Sequence, residues 1–197
     1  MERNTKWSSN IIIADGDYVD RVAFNLTVNF ERMLGRRIPQ ADLARWIDCI
    51  ALDGGLREGD NDIQVMLIHD KGSSRMENFS PSSYDDELNG KAFKDQLGEF
   101  CIACQETAEI ISKSQFLHDV VGAACIQPEV KRIMIIPDSE DGESYEHIAA
   151  SLRHVEDKEK QITMFAMQPM MGGNFKQEIL GFSLLSALGI RSEELQQ

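Results

Sequence analysis

A chain of 197 residues with 42% apolar and 27% charged residues has the makeup of one globular domain with a full hydrophobic core. Lys and Arg number 20 against 33 Asp and Glu, a net charge of -13, which disfavours salt-driven binding along a phosphate backbone and leaves only local contact through a basic patch or a bound metal. No stretch reaches the roughly 18 continuous apolar residues of a membrane span, and Met1 to Asn10 is polar, so a cytoplasmic protein without a membrane partner is the expectation.

Residues 1–9 read as a loose leader, with Trp7 against the first strand. That strand is 10–14, Asn10-Ile11-Ile12-Ile13-Ala14, and Asp15-Gly16-Asp17 makes the turn after it. Val19, Val22, Ala23, Leu26, Phe30, Met33 and Leu34 recur at spacings of three and four, which predicts a helix over 18–34 stopped by Gly35. Leu43, Trp46, Ile47 and Ile50 repeat the pattern in 40–50. Ile63 to Ile68 is a second apolar strand, ending in His69-Asp70. A Ser-rich linker or lid follows over 72–83.

Leu88, Ala92, Phe93 and Leu97 predict a helix over 84–96 capped by Ser83 or Asp85, and 99–104 is strand three. Ser114 is placed to cap a helix over 114–125, with Phe116, Leu117, Val120, Val121 and Ala124 inward. Strand four is 132–136, a helix spans about 143–155, and strand five is Ile162 to Met167. Gly172-Gly173 breaks the chain before a helix over 174–188 built on Phe175, Ile179, Phe182, Leu185 and Leu188. The tail from Arg191 is expected to fray. These elements define an α/β domain over 10–190, a three-layer sandwich with a mainly parallel sheet of about five strands, between a leader 1–9 and a tail 191–197.

Cys101 and Cys104 have the CxxC spacing but sit in an apolar run. Residues three apart in a strand point to opposite faces, so the four cysteines are read as reduced, small buried hydrophobes.

The informative stretch is Ile133-Met134-Ile135-Ile136-Pro137-Asp138-Ser139-Glu140-Asp141: a buried-strand pattern running into three acids. Open α/β sheets bind ligands beside the carboxyl ends of their strands. If the strands ending at Asp15 and Asp138 are parallel neighbours, those acids meet at one edge, and converging carboxylates call for a cation. Asp15, Asp119 and Asp138 form the core of this candidate site, with Asp17, Glu140 and Asp141 as supporting ligands. Oxygen donors of this kind suit Mg2+ or Mn2+, which would activate water against a phosphodiester, with Glu140 or Asp141 positioning the water or a second ion. The same acids also fit a plainer reading: Asp15 or Asp17 capping the helix 18–34, and Glu140 or Asp141 in the first turn of 143–155.

In order and context this arrangement resembles the PIN-like nuclease superfamily, and within it the NYN group. Ile11-Ile12-Ile13-Ala14-Asp15-Gly16-Asp17 is similar to the family's opening strand, Asp119 in Phe116-Leu117-His118-Asp119 to its helix acid, and Ile135-Ile136-Pro137-Asp138-Ser139-Glu140 to its strand-four motif. Pro137 stands where Gly is usual and Glu140 where a second Asp is usual. The resemblance implies metal-dependent hydrolysis of RNA or a related phosphodiester. The departures and the acidic surface motivate a second reading, a catalytically inactive PIN-like module that binds a protein partner or a second copy, with Met164, Met167, Met170 and Met171 as an adaptable segment. A nucleotide- or phosphate-ester-binding α/β enzyme is the third.

Overall fold

The computed structural model describes residues 6–196. In chain order the elements are β1 (Asn10–Asp15), α1 (Gly16–Leu34), β2 (Ala41–Asp42), α2 (Leu43–Asp53), β3 (Asn61–His69), β4 (Phe79–Ser80), β5 (Ala92–Asp95), β6 (Gly98–Glu106), α3 (Lys113–Cys125), β7 (Arg132–Ile136), α4 (Gly142–Leu152), β8 (Gln161–Ala166), β9 (Lys176–Ile179) and α5 (Leu180–Ala187). Seven strands form one sheet in the order β5-β6-β3-β1-β7-β8-β9. All neighbours in it are parallel except β5 on β6, and β2 pairs with β4 in a separate two-stranded ribbon.

The central strand β1 is buried along its whole length, and its alternation divides the core. Ile12 and Ala14 join the cluster formed with α1, α2 and α5, whereas Ile11 and Ile13 join the one formed with α3 and α4. Helices therefore cover both faces of the sheet. Each buried Ile contributes about 1.5–3 kcal/mol, so β1 is anchored from two sides and the acid at its end inherits a fixed position. Successive connections run outward from β1 in opposite directions, through β3 to β6 and through β7 to β8. The order thus reverses between β1 and β7, where the register pairs Ala14 with Ile136. Asp15 and Asp138 accordingly emerge at the same edge.

Several elements differ from their sequence patterns. The segment read as a helix over 84–96 is a π-helical turn, Tyr84–Leu88, followed by the edge strand β5. Phe93 stacks on Phe100 of β6 at 4.6 Å between ring centroids, and that contact overrides helical spacing. The Ser-rich 72–83 segment is no loose lid: it carries β4, and Met76 and Phe79 lie in the core. The helix read over 174–188 opens instead as β9, and Phe182, placed inward by the pattern, is 69% exposed on α5. Ser112, not Ser114, caps α3.

The cysteines are free as expected but are not buried hydrophobes, since Cys101 is exposed and the other three are half-buried. The tail is tied down, with Glu194 in a 3-10 turn over Ser192–Gln196 pairing with Arg36 at 2.8 Å. The leader reading falls partly on residues 1–5, outside the described residues; Trp7 does pack against the second core.

Candidate functional site

At the carboxyl edge of the sheet, β1 stops because Asp15 turns into a helix cap. Its Oδ1 accepts the Tyr18 N–H at 2.9 Å, which satisfies one of the unpaired donors of the first turn. The side chain lies beneath the start of α3 and the residue is 3% exposed. Lys113 is the first residue of α3, and its Nζ sits 3.1 Å from Asp15 Oδ1, 3.2 Å from Asp17 Oδ2 and 2.9 Å from Asp70 Oδ2. The acids come from the end of β1, the start of α1 and the residue after β3. Of the ammonium's three N–H donors, hydrogen bonds run to Asp17 and Asp70, and Asp15 is held as a close ion pair.

Asp17 is the most heavily bonded member. It also accepts from Ser73 Oγ at 2.6 Å, from the Asp70 backbone N–H at 2.7 Å and from the Tyr84 hydroxyl at 3.1 Å. Tyr84 stacks on the buried His69 at 4.0 Å between ring centroids. Gly16 makes room for the Tyr84 hydroxyl, because a Cβ at that position would lie 2.6 Å from it.

Electrostatics follow this geometry. Burial pushes the Asp15 carboxyl up to about 6, opposed by Lys113 and the Tyr18 N–H. Burial also acts on Asp17, but the bonds from Ser73, Asp70 and Lys113 outweigh it and leave its carboxyl below the usual range. Burial disfavours the Lys113 ammonium, yet the surrounding acids, Asp15 foremost, more than offset that and raise its pKa. The Tyr84 phenol is raised by burial and the neighbouring acids. Lys113 is thus a permanently charged counter-ion with no lone pair to offer, and Tyr84 stays a neutral donor.

The acids after β7 form a second, separate arrangement. Arg21 of α1 reaches across, its Nη2 lying 2.8 Å from Asp138 Oδ2 and 3.8 Å from Glu140 Oε2. The other Asp138 oxygen accepts the backbone N–H groups of Glu140 at 3.0 Å and Asp141 at 3.1 Å, closing the turn. Asp141 caps α4 through the Glu143 N–H. Ser139 Oγ meets the Tyr18 hydroxyl at 2.9 Å and fastens this turn to α1. Asp119 stands apart from both arrangements. It is exposed and accepts from Gln115 Nε2 of its own helix at 2.8 Å, with His118 Nδ1 at 3.6 Å.

The structure therefore brings Asp15 and Asp17 together around Lys113, and Asp138 and Glu140 around Arg21, while Asp119 and Asp141 serve their own helices. Among the described residues no group of three or more His, Cys, Asp or Glu side chains is arranged to hold a metal ion. The donor set as it stands does not fit Mg2+ or Mn2+, because protein cations occupy the places between the carboxylates.

Lys113, Asp70 and Arg21 complete the edge; of these only Asp70 is suggested by the sequence, as a weaker candidate than the acids after β1 and β7. Asp70 carried a signal, an acid directly after a strand. Lys113 had only its place beside a helix cap, and Arg21 none at all. A polar cleft of about 390 Å3, lined by Asp17, Asp20, Asp70, Ser73, Arg75 and Glu77, opens beside the cluster. A larger, mainly apolar cavity of about 610 Å3 lies at the far ends of α3 and α4, around Val121, Cys125, Leu152 and Lys160, away from these acids.

No helix among the described residues is long and apolar enough to cross a membrane. A search of curated proteins and of solved structures finds no match. A model of a family of unknown function, DUF6621, matches residues 4–195, and the chain belongs to that family.

Proposed function

We propose that this chain is a divergent PIN-like, NYN-type module that has lost or redirected catalysis and works by binding a protein partner or a second copy. One observation carries the reading: the Lys113 ammonium lies within 3.2 Å of Asp15, Asp17 and Asp70, so a protein cation already balances the carboxylates gathered at this edge. Arg21 supports it by holding Asp138 in the same way. Asp15 and Asp141 cap helices, and Asp119 faces outward, as structural carboxylates do. The net charge of -13 favours a protein over a polyanion as partner. Of the four methionines in the adaptable segment, Met164 is core and Met171 is exposed, so only the latter end is free to meet a partner.

The second reading is a Mg2+- or Mn2+-dependent ribonuclease or phosphodiesterase. The adjacency of β1 and β7 favours it, since it delivers Asp15 and Asp138 to one edge. It requires Lys113 and Arg21 to give up their carboxylates. A nucleotide- or phosphate-ester enzyme is the least supported, because the strand-order reversal is flanked by Asp15, Asp138 and Glu140, which repel a phosphate.

Calorimetric titration of Mn2+ and an RNA cleavage assay on the wild-type chain separate the first two readings. The inactive-module reading expects no saturable Mn2+ binding and no cleavage. Saturable binding with cleavage that disappears in both Asp15→Asn and Asp138→Asn, from a chain that stays monomeric and captures no protein, overturns it.

A further inference from the structure

We propose that the cavity at the far ends of α3 and α4 binds a small neutral molecule with an apolar body and one hydrogen-bond acceptor, which the Lys160 ammonium receives. Its volume of about 610 Å3 lies within the range of about 300–1,000 Å3 that holds small organic ligands. Most of the wall is apolar. Val121 comes from α3, Ile126 and Pro128 from the turn that follows it, Leu152 from the last residue of α4 and Val155 from just beyond. Ile126 is 77% exposed on this wall, apolar surface that an occupant would remove from water.

One polar group is built into that wall. The Lys160 side chain is only 2% exposed, and its Nζ donates to the backbone carbonyls of Gln127 at 2.6 Å and Val130 at 2.5 Å. Those bonds hold the ammonium in place, so a ligand meets a donor whose freedom was already lost in folding. An ammonium has three N–H donors. Asp157 Oδ2 stands at 3.8 Å, beyond hydrogen-bond distance, and among the described residues Nζ bonds no other acceptor. One N–H is left for a ligand oxygen.

The charges around the cavity select a neutral head group. Asp157 balances Lys160 as an ion pair, and the exposed Glu156 adds a negative charge at the rim. The Cys125 thiol adds none, since burial pushes it up to about 11. A carboxylate ligand would meet two carboxylates for one ammonium, and an amine would turn its own N–H groups toward Lys160. A hydroxyl or carbonyl oxygen accepts the free N–H and brings no charge. The exposed His154 is the remaining titratable group on the wall, and the test is therefore run at pH 8. The cavity lies at the opposite end of α3 from Lys113, about 20 Å along the helix, and its assignment holds whichever reading of the acid edge is right.

Methyl and amide NMR titrations of the intact chain with octanol, octanoate and octylamine test this, because the three probes share one apolar body and differ in head group. Octanol should shift the signals of Val121, Leu152 and Val155 saturably, and the two charged probes should bind about tenfold or more weakly. Gly122→Leu sets a side chain on the cavity wall where an added Cβ meets no atom within 4 Å. That variant should keep its urea midpoint and bind octanol about tenfold or more weakly. Lys160→Met should weaken octanol by about tenfold, the effect of losing one hydrogen bond from a charged donor; if it does not fold, Gly122→Leu decides alone. Tightest binding by octanoate or octylamine, no saturable shift with octanol, shifts outside this cavity, or an octanol affinity unchanged in Gly122→Leu or in folded Lys160→Met each overturns the proposal.

Discussion

Lys113 balances three carboxylates that arrive from three different elements, and its replacement is the most informative single change at the candidate site. Lys113→Met keeps the hydrocarbon stem but strands Asp15, which is buried, with Asp17 beside it. A destabilisation of about 2–4 kcal/mol is expected at pH 7 by urea denaturation, near the lower part of the cost of stranding a buried charge because Asp70 remains mostly exposed. Asp15→Asn should behave differently. Asn caps helices as well as Asp does, and Lys113 keeps two carboxylates. The wild-type Asp15 contribution is fully present below the ordinary Asp value and is lost as pH rises through about 6, since burial raises its folded pKa. The variant should therefore match or exceed wild-type stability at pH 7 and lack that decline between pH 4 and 6, read from denaturation midpoints across the range.

At the scale of elements, the legible features were those with a local cause. β7 was readable to the residue, because four consecutive apolar side chains flanked by Arg132 and Pro137 admit little but a buried strand. The stop of α1 was readable from Gly35, whose φ of +63° is the left-handed conformation glycine adopts freely. β5 was not readable. Leu88, Ala92 and Phe93 have helical spacing, and the contact that decided against a helix is with Phe100 on another strand.

Gly98, where β6 begins, was likewise silent in the sequence. Its φ is +140°, and a Cβ there would lie 2.1 Å from the Asn61 carbonyl oxygen of β3. Gly98→Ala should cost about 3 kcal/mol or more, since rigid backbone rather than a yielding side chain stands in the way. Gly142→Ala, with no atom within 4 Å of the added carbon and α4 already helical there, should show no loss in the same denaturation experiment.

For the molecule as a whole, a net charge of -13 means that the folded state repels itself at low ionic strength. Added salt shortens the range of that repulsion. Raising NaCl from about 20 to 300 mM should lift the Tm by about 2–4 °C, the shift that roughly 1 kcal/mol produces in a domain of this size. A Tm that falls instead would mean that the Lys113 and Arg21 pairings outweigh the surface repulsion. The opposing signs make this one scan a direct comparison of the two electrostatic contributions.

The sequence by itself determined the α/β class, the central buried strands and the presence of acids at their carboxyl ends, because apolar periodicity and strand-end polarity are properties of near neighbours along the chain. Only the tertiary structure decided what those acids do. The cation that meets Asp17 lies 96 residues away, and the one that meets Asp138 lies 117 residues away. A carboxylate bound to a metal and one bound to a lysine are written with the same letter, and the distinction is made by which side chain the fold carries into contact with it.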